Sequence, residues 1–332
     1  MSSHFFGITD RFFSFSHTLG RTELAGTGFR FPLDLALGQD DVIYVLNRTS
    51  AARPEGIRIT MLTFAEDFIN QFGAHGEGDG DFIWPAAIEL DRDQNVFVSD
   101  EWLNRITVFD KDGEFIRKWG SAGSGDGELN RPSGLAITGD GTVLVADSWN
   151  HRIQKFSADG RYLGQFGSFG SEAGQLNMPW GMALDKEGLL YVADWRNDRI
   201  QQFTLDGVCQ AVFGRSGSGP GEFNRPTDVA VDEDGDIYVT DWMNNRVQVL
   251  SADGRFITAF QGNADLSKWG KEKLISNPDM IRQRNLVTDY TADRSFWQPS
   301  AVETDSQGRI AIADSAKNRI QVYQKNKTPV LV

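Results

Sequence analysis

The stretch VADSWNHRIQKF, residues 145–156, is nearly repeated at 98–109 (VSDEWLNRITVF), 192–203 (VADWRNDRIQQF), 239–250 (VTDWMNNRVQVL) and 312–323 (IADSAKNRIQVY). Two landmarks define the spacing. One proline opens each copy (Pro32, Pro85, Pro132, Pro179, Pro226, Pro299), at intervals of 53, 47, 47, 47 and 73 residues. A polar residue closing the second apolar run (Asn47, Asp100, Asp147, Asp194, Asp241, Asp314) repeats the same intervals. Six units therefore share one plan and two carry insertions. A period near 47 residues belongs to solenoids and propellers.

Within a unit the pattern is β. A short apolar run after the proline (GLAIT, GMALD, DVAVD) is followed by a turn such as Asp140-Gly141, a second run (VLVAD, LYVAD, IYVTD) and a polar loop. A third run (RIQKF, RVQVL), an Asp-Gly turn such as Asp159-Gly160 and a fourth run (RYLGQFG) complete it. Four short strands joined by tight turns make one antiparallel sheet. Six sheets around an axis make an all-β fold, a six-bladed β-propeller, in which radial closure leaves only short protected edges. The whole chain, 1–332, reads as one such domain. The last copy lacks a fourth strand. Gly20 stands 12 residues before Pro32, just as Gly73, Gly120, Gly167 and Gly214 stand before theirs. Residues 12–20 (FFSFSHTLG) are thus expected to supply the outer strand of blade 6 and close the ring.

These repeats resemble the NHL family, and Asn150-His151-Arg152-Ile153 falls at the Asn-His-Leu position that gives the family its name. The resemblance covers almost the whole chain and implies a propeller, usually six-bladed. It brings amidating lyases and, among other six-bladed propellers, calcium lactonases into view as related activities. The lyases hold zinc with histidines, whereas His4, His17, His75 and His151 are the four histidines here and none recurs on the innermost strand. A three-histidine zinc site is not expected.

Composition narrows the function classes. The net charge is −13 with no basic run, which disfavours nucleic acid as a partner. One cysteine, Cys209, excludes an internal disulfide. The N-terminal residues do not form a secretory signal and no apolar run reaches the roughly 20 residues of a membrane helix, so a cytoplasmic monomer without membrane contact is expected.

The acid ending the second strand stands five residues before an Arg in units 2 to 6, and Asn47 and Arg58 take these places in unit 1. A residue present in every blade serves the blade, so these positions and His151 are read as structural. Departures from the plan are the functional candidates. Insertions at about 48–56 and 262–297 both fall where second-to-third-strand loops and blade connections share one face, in neighbouring blades, and are expected to form a partial lid. Trp102, Trp149, Trp195 and Trp242 follow the repeated acid, Trp84, Trp180 and Trp297 flank the opening prolines, and Trp269 lies in the long insertion; only Trp119 falls elsewhere. Trp84, Trp180, Trp195, Trp242 and Trp297, with Arg131 and Arg225, are the candidate binding residues of a top-face funnel.

On the innermost strands, two residues after the proline, the copies read Asp34, Ala87, Gly134, Gly181, Asp228 and Ala301. Four residues after, they read Ala36, Glu89, Ala136, Ala183, Ala230 and Glu303. An offset of two keeps both sets on one strand face. Asp34, Glu89, Asp228 and Glu303 should therefore gather on one arc of the axis, as general acid–base groups or as ligands of a hard cation such as calcium. The expectation is small-molecule binding or lyase- or hydrolase-type chemistry in this funnel. The alternative is a protein-interaction scaffold using the same face.

Overall fold

The computed structural model describes residues 11–49 and 52–327; His4 and positions 50 and 51 of the first insertion lie outside them. Six four-stranded antiparallel sheets form the blades. In blade 3 the strands run Pro132–Ile137, Val143–Asp147, Arg152–Phe156 and Tyr162–Phe166 from the axis outwards. Each innermost strand touches those of the two neighbouring blades, and the strand Pro32–Leu37 of blade 1 meets Pro299–Thr304 of blade 6, closing the ring.

The apolar runs explain the packing. A middle strand is covered on both faces, so alternate residues enter two different cores. Val143 and Val145 pack towards blade 2 with Phe97 and Ile106, while Leu144 and Ala146 pack towards blade 4 with Leu190 and Val192. Six such cores fill the six seams between blades. The outer strand has neighbours on one side only, and Tyr162–Phe166 accordingly alternates between half-buried and exposed residues.

The predicted closure is present. Arg11–Leu19 pairs antiparallel with Arg319–Lys327, from Phe12 opposite Asn326 to Leu19 opposite Ile320. The seam is also locked by charge on the opposite face. Lys325, buried, reaches Asp232, Asp234 and Asp236 of blade 5 at 2.5, 2.9 and 2.8 Å, and Arg11 adds an ion pair to Asp236. Both terminal strands are thereby tied to the blade before them.

The long insertion carries the three α-helices among the described residues: α1 (Lys268–Ile275), α2 (Pro278–Asn285) and α3 (Thr291–Arg294). Its first helix does not roof the axis. Trp269, expected on the binding face, is buried in the blade 6–blade 1 core with its ring 6.1 Å from Phe29, and its N–H donates to Glu66. Lys268 pairs with Asp67, and the Ser267 hydroxyl donates to the Gly20 carbonyl, so α1 lies against the outer-strand side of the seam. The physical reason is local: Phe29 and Phe64 leave an apolar site at the rim that a tryptophan fills.

Candidate functional site

The repeated polar residues hold the blades. Asp147 accepts from the Asn130 N–H, Asn150 Nδ2, Arg152 Nε and Gln154 Nε2, while Arg152 continues to the Gly125 and Glu128 carbonyls of the incoming loop. Asp–Arg pairs of 2.7–2.8 Å recur in blades 3 to 6. In blade 2 they separate: Arg105 binds the Glu77, Gly78 and Asp81 carbonyls, and Asp100 takes four backbone N–H groups. A second device links neighbouring blades. Asn104, His151, Asp198, Asn245 and Asn318 all sit at positive φ of 51–56°. Each side chain accepts the N–H of the residue before the next blade's proline; for His151 the donor is Met178, 3.1 Å from Nδ1. His151 is a latch.

The four acids do converge. Asp34, Glu89, Asp228 and Glu303 border one enclosed cavity of about 20 Å³ on the axis, whose lining comes entirely from the six innermost strands. That is room for roughly one water. They form two equivalent inter-blade pairs. Asp34 of blade 1 accepts the Ile88 N–H of blade 2 at 2.8 Å, next to Glu89. Asp228 of blade 5 accepts the Val302 N–H of blade 6 at 2.9 Å, next to Glu303. Opposite each Asp the neighbouring strand carries a small residue, Ala87 or Ala301. Where neither blade carries an acid the strands approach closer still: a Cβ on Gly134 would lie 2.1 Å from the Trp180 carbonyl oxygen.

Burial dominates the electrostatics. The carboxyls face protein and the narrow spaces along the axis, so desolvation pushes all four pKa values up, to about 7 for Asp34 and Glu89 and well above the ordinary range for Asp228 and Glu303. Mutual repulsion adds to this, for Glu303 first from Glu89 and then from Asp228. Backbone N–H donors, from Ile88 and Leu35 for Asp34, pull the other way but weigh less. The quartet thus carries less than four full negative charges near pH 7. It does not fit a calcium cage: among the described residues no three His, Cys, Asp or Glu side chains stand where they could hold a metal ion. The two Asp residues spend carboxylate oxygens on neighbouring backbones instead. Glu89 and Glu303 also border a second hollow of about 240 Å³ towards the other mouth of the axis.

Arg131 and Arg225 do not reach down to these acids. Arg131 lies over Trp149 at 4.1 Å and Trp84 at 5.7 Å, and Arg225 lies over Trp195 at 4.7 Å. Trp84 also packs against Trp102, and Trp180 against Trp195. Trp180 borders the axial cavity, Trp242 is half-buried beside its blade's Asp241, and Trp297 is 57% exposed. The top face is therefore a surface of alternating indoles and guanidiniums.

A large hollow lies above blade 1, about 660 Å³, bordered by Arg30, Phe31, Arg48, Arg53, Trp84 and Asn318 among others. It exists because blade 1 breaks the repeat. Blades 3 to 6 follow their acid with a 3-10 turn at this level (Ser148–Asn150, Trp195–Asn197, Trp242–Asn244, Ser315–Lys317), whereas blade 1 has Asn47 and then the first insertion. Sequence reasoning marked the insertion but did not single out Arg30, Phe31, Arg48 or Arg53. The available signal was the loss of the loop tryptophan in blade 1.

The NHL repeat model matches residues 129–156, 176–203 and 223–250, in blades 3, 4 and 5. The chain is a six-bladed β-propeller carrying NHL repeats. No curated protein sequence matches it. Among solved structures it is similar to a streptogramin B lyase (TM-score 0.58, 13% identity, 95% of this chain and 98% of that one). It is similar to a catalytically inactive virginiamycin B lyase from Staphylococcus aureus with quinupristin (0.59, 12%, 95% and 99%). A gluconolactonase from Xanthomonas campestris also resembles it (0.62, 15%, 90% and 87%). At these identities the likeness is one of fold.

Proposed function

We propose that this propeller captures a small molecule in the hollow above blade 1. The observation that carries the reading is the hollow itself: its volume of about 660 Å³ lies in the range of roughly 300–1,000 Å³ that ligand sites occupy. Trp84 and Phe31 supply apolar walls, and a few polar groups converge on them. The lyases and the lactonase among the structural neighbours make lyase- or hydrolase-type turnover the fuller form of this reading. Capture is the part the geometry favours, because the axial carboxyls border a space sized for one water and an organic ligand in the hollow does not enter it.

A screen of small metabolites by thermal shift tests this. Ligands of the hollow should raise the unfolding temperature of the wild type and lose that effect in Trp84→Ala. Hits that stabilise both proteins equally would end the reading. The exposure of Trp102 (54%) and Trp149 (47%) favours a second reading, a protein-docking face. In that case a Trp102→Ala/Trp149→Ala variant should lose its partner while Trp84→Ala retains it.

A further inference from the structure

We infer that the hollow above blade 1 takes a small organic anion, a carboxylate- or phosphate-bearing molecule with a flat apolar part. The inference rests on the capture reading above and adds the ligand's charge. Three arginines, Arg30, Arg48 and Arg53, border the same space, and among the described residues no Asp or Glu lines it. Among the described residues neither Arg30 nor Arg53 has a carboxylate within ion-pair distance. The acid next to the hollow, Glu101, is taken by Arg48 at 3.2 Å and is itself buried. In a chain of net charge −13 such a gathering runs against the overall field.

The geometry favours an anion over a second cation sink or a purely apolar guest. Arg48 lies over the Trp84 ring at 5.3 Å, and Arg131 approaches the same ring at 5.7 Å. Stacking fixes the plane of a guanidinium, and the Arg48 N–H groups not given to Glu101 are left to face a carboxylate or phosphate. Trp84 therefore has two tasks, holding arginines and presenting apolar surface. Asn318 at the margin accepts the Phe31 N–H through Oδ1, which leaves its amide nitrogen as a neutral donor beside the charged arginines.

The test uses the full chain with phenyl phosphate and benzyl alcohol as probes of similar size and opposite character. The readout is the Trp84 indole N–H resonance, assigned with Trp84→Phe. Phenyl phosphate should shift it with at least tenfold higher affinity than benzyl alcohol, and added salt should weaken the binding. Arg48→Gln and Arg53→Gln should each lower that affinity about tenfold while the unfolding temperature of Arg53→Gln stays at the wild-type value. Equal binding of the two probes at Trp84 would overturn the anion and leave small-molecule capture standing. No perturbation of Trp84 by either would overturn both. A short single-stranded RNA that binds through the same arginines more tightly than phenyl phosphate would overturn the small ligand in favour of nucleic acid.

Discussion

Glu89→Gln isolates the electrostatic cost stored on the axis. Glu89 accepts one hydrogen bond, from the Leu90 N–H at 2.9 Å, and a glutamine oxygen preserves it. Burial first, and then the charge of Asp34, raises its carboxyl from 4.5 to about 7. A carboxyl whose folded pKa exceeds its unfolded value stabilises fully below the unfolded value, and that contribution is lost as the pH rises through the folded one. The wild type should therefore lose stability between about pH 4.5 and pH 7.5 from this group, and Glu89→Gln should not. At 1.36 kcal/mol per pKa unit, the shift amounts to about 3 kcal/mol in favour of the variant at pH 8 and nothing near pH 4.5. Relief of Glu303, whose largest repulsion comes from Glu89, acts in the same direction. For 332 residues this corresponds to an unfolding midpoint about 4 °C higher at pH 8, from the usual unfolding entropy per residue. The assay is thermal unfolding of both proteins from pH 4.5 to 8.5, with the infrared band of protonated carboxyls as a second readout. A midpoint difference that stays constant across that range, or a variant less stable at pH 8, would refute the account of a desolvated, proton-holding axis.

Other consequences follow from single contacts. Chelation with EDTA should leave the unfolding midpoint unchanged at pH 7, since no three side chains in the described residues can hold a metal; a fall of several degrees would restore the calcium reading. Lys325→Met strands the carboxylates of Asp232 and Asp236 in a buried seam and should cost about 3–5 kcal/mol, seen as early release of the terminal strands in hydrogen exchange. His151→Asn should be near neutral, because asparagine fills the same left-handed latch position in three other blades, whereas His151→Ala should lower stability by about 1–2 kcal/mol. Gly181→Ala places a Cβ 2.1 Å from Asp228 Oδ1 and 2.7 Å from the Thr227 carbonyl oxygen, and soluble yield should collapse.

The ring was legible because its determinants are periodic. Prolines, acids and apolar runs at 47-residue spacing fix six sheets, and Gly20 alone was enough to assign the closing strand to blade 6. The axial quartet was legible for the same reason: an offset of two on equivalent strands fixes which side chains share a face. Loops obey no such rule. Trp269 has the composition of a binding residue, yet the space between Phe29 and Phe64 decides where it goes, and that space is made by residues far apart in sequence. The arginine hollow was missed because Arg30 and Arg48 stand at repeat positions where no other blade has an arginine, and Arg53 lies in the insertion. The three-carboxylate cage around Lys325 joins residue 325 to a turn at 232–236 that only the closed ring brings near.

Broken symmetry explains why the unusual features cluster. The regular blades 3 and 4 place Gly134 and Gly181 at the axis, where the inner strands approach so closely that no side chain fits. Blades 5, 6, 1 and 2 cannot pack that way once Asp228 and Asp34 stand at this level, so each Asp bridges to the next blade's backbone. The bridges leave a small polar void with carboxyls around it rather than a dry contact. Blade 1, the first member of the second bridged pair, also lacks the Asp–Arg pair, having Asn47 bonded to the Val45 and Arg58 carbonyls instead. Its Arg58 is turned to the Leu24 and Gly28 carbonyls, and its second-to-third-strand loop no longer has to follow the common path. A repeat relaxed at one position is thus free to open a cavity there while the other five blades hold the ring. The insertion that follows Asn47 borders the room above Trp84 through Thr49 and Arg53.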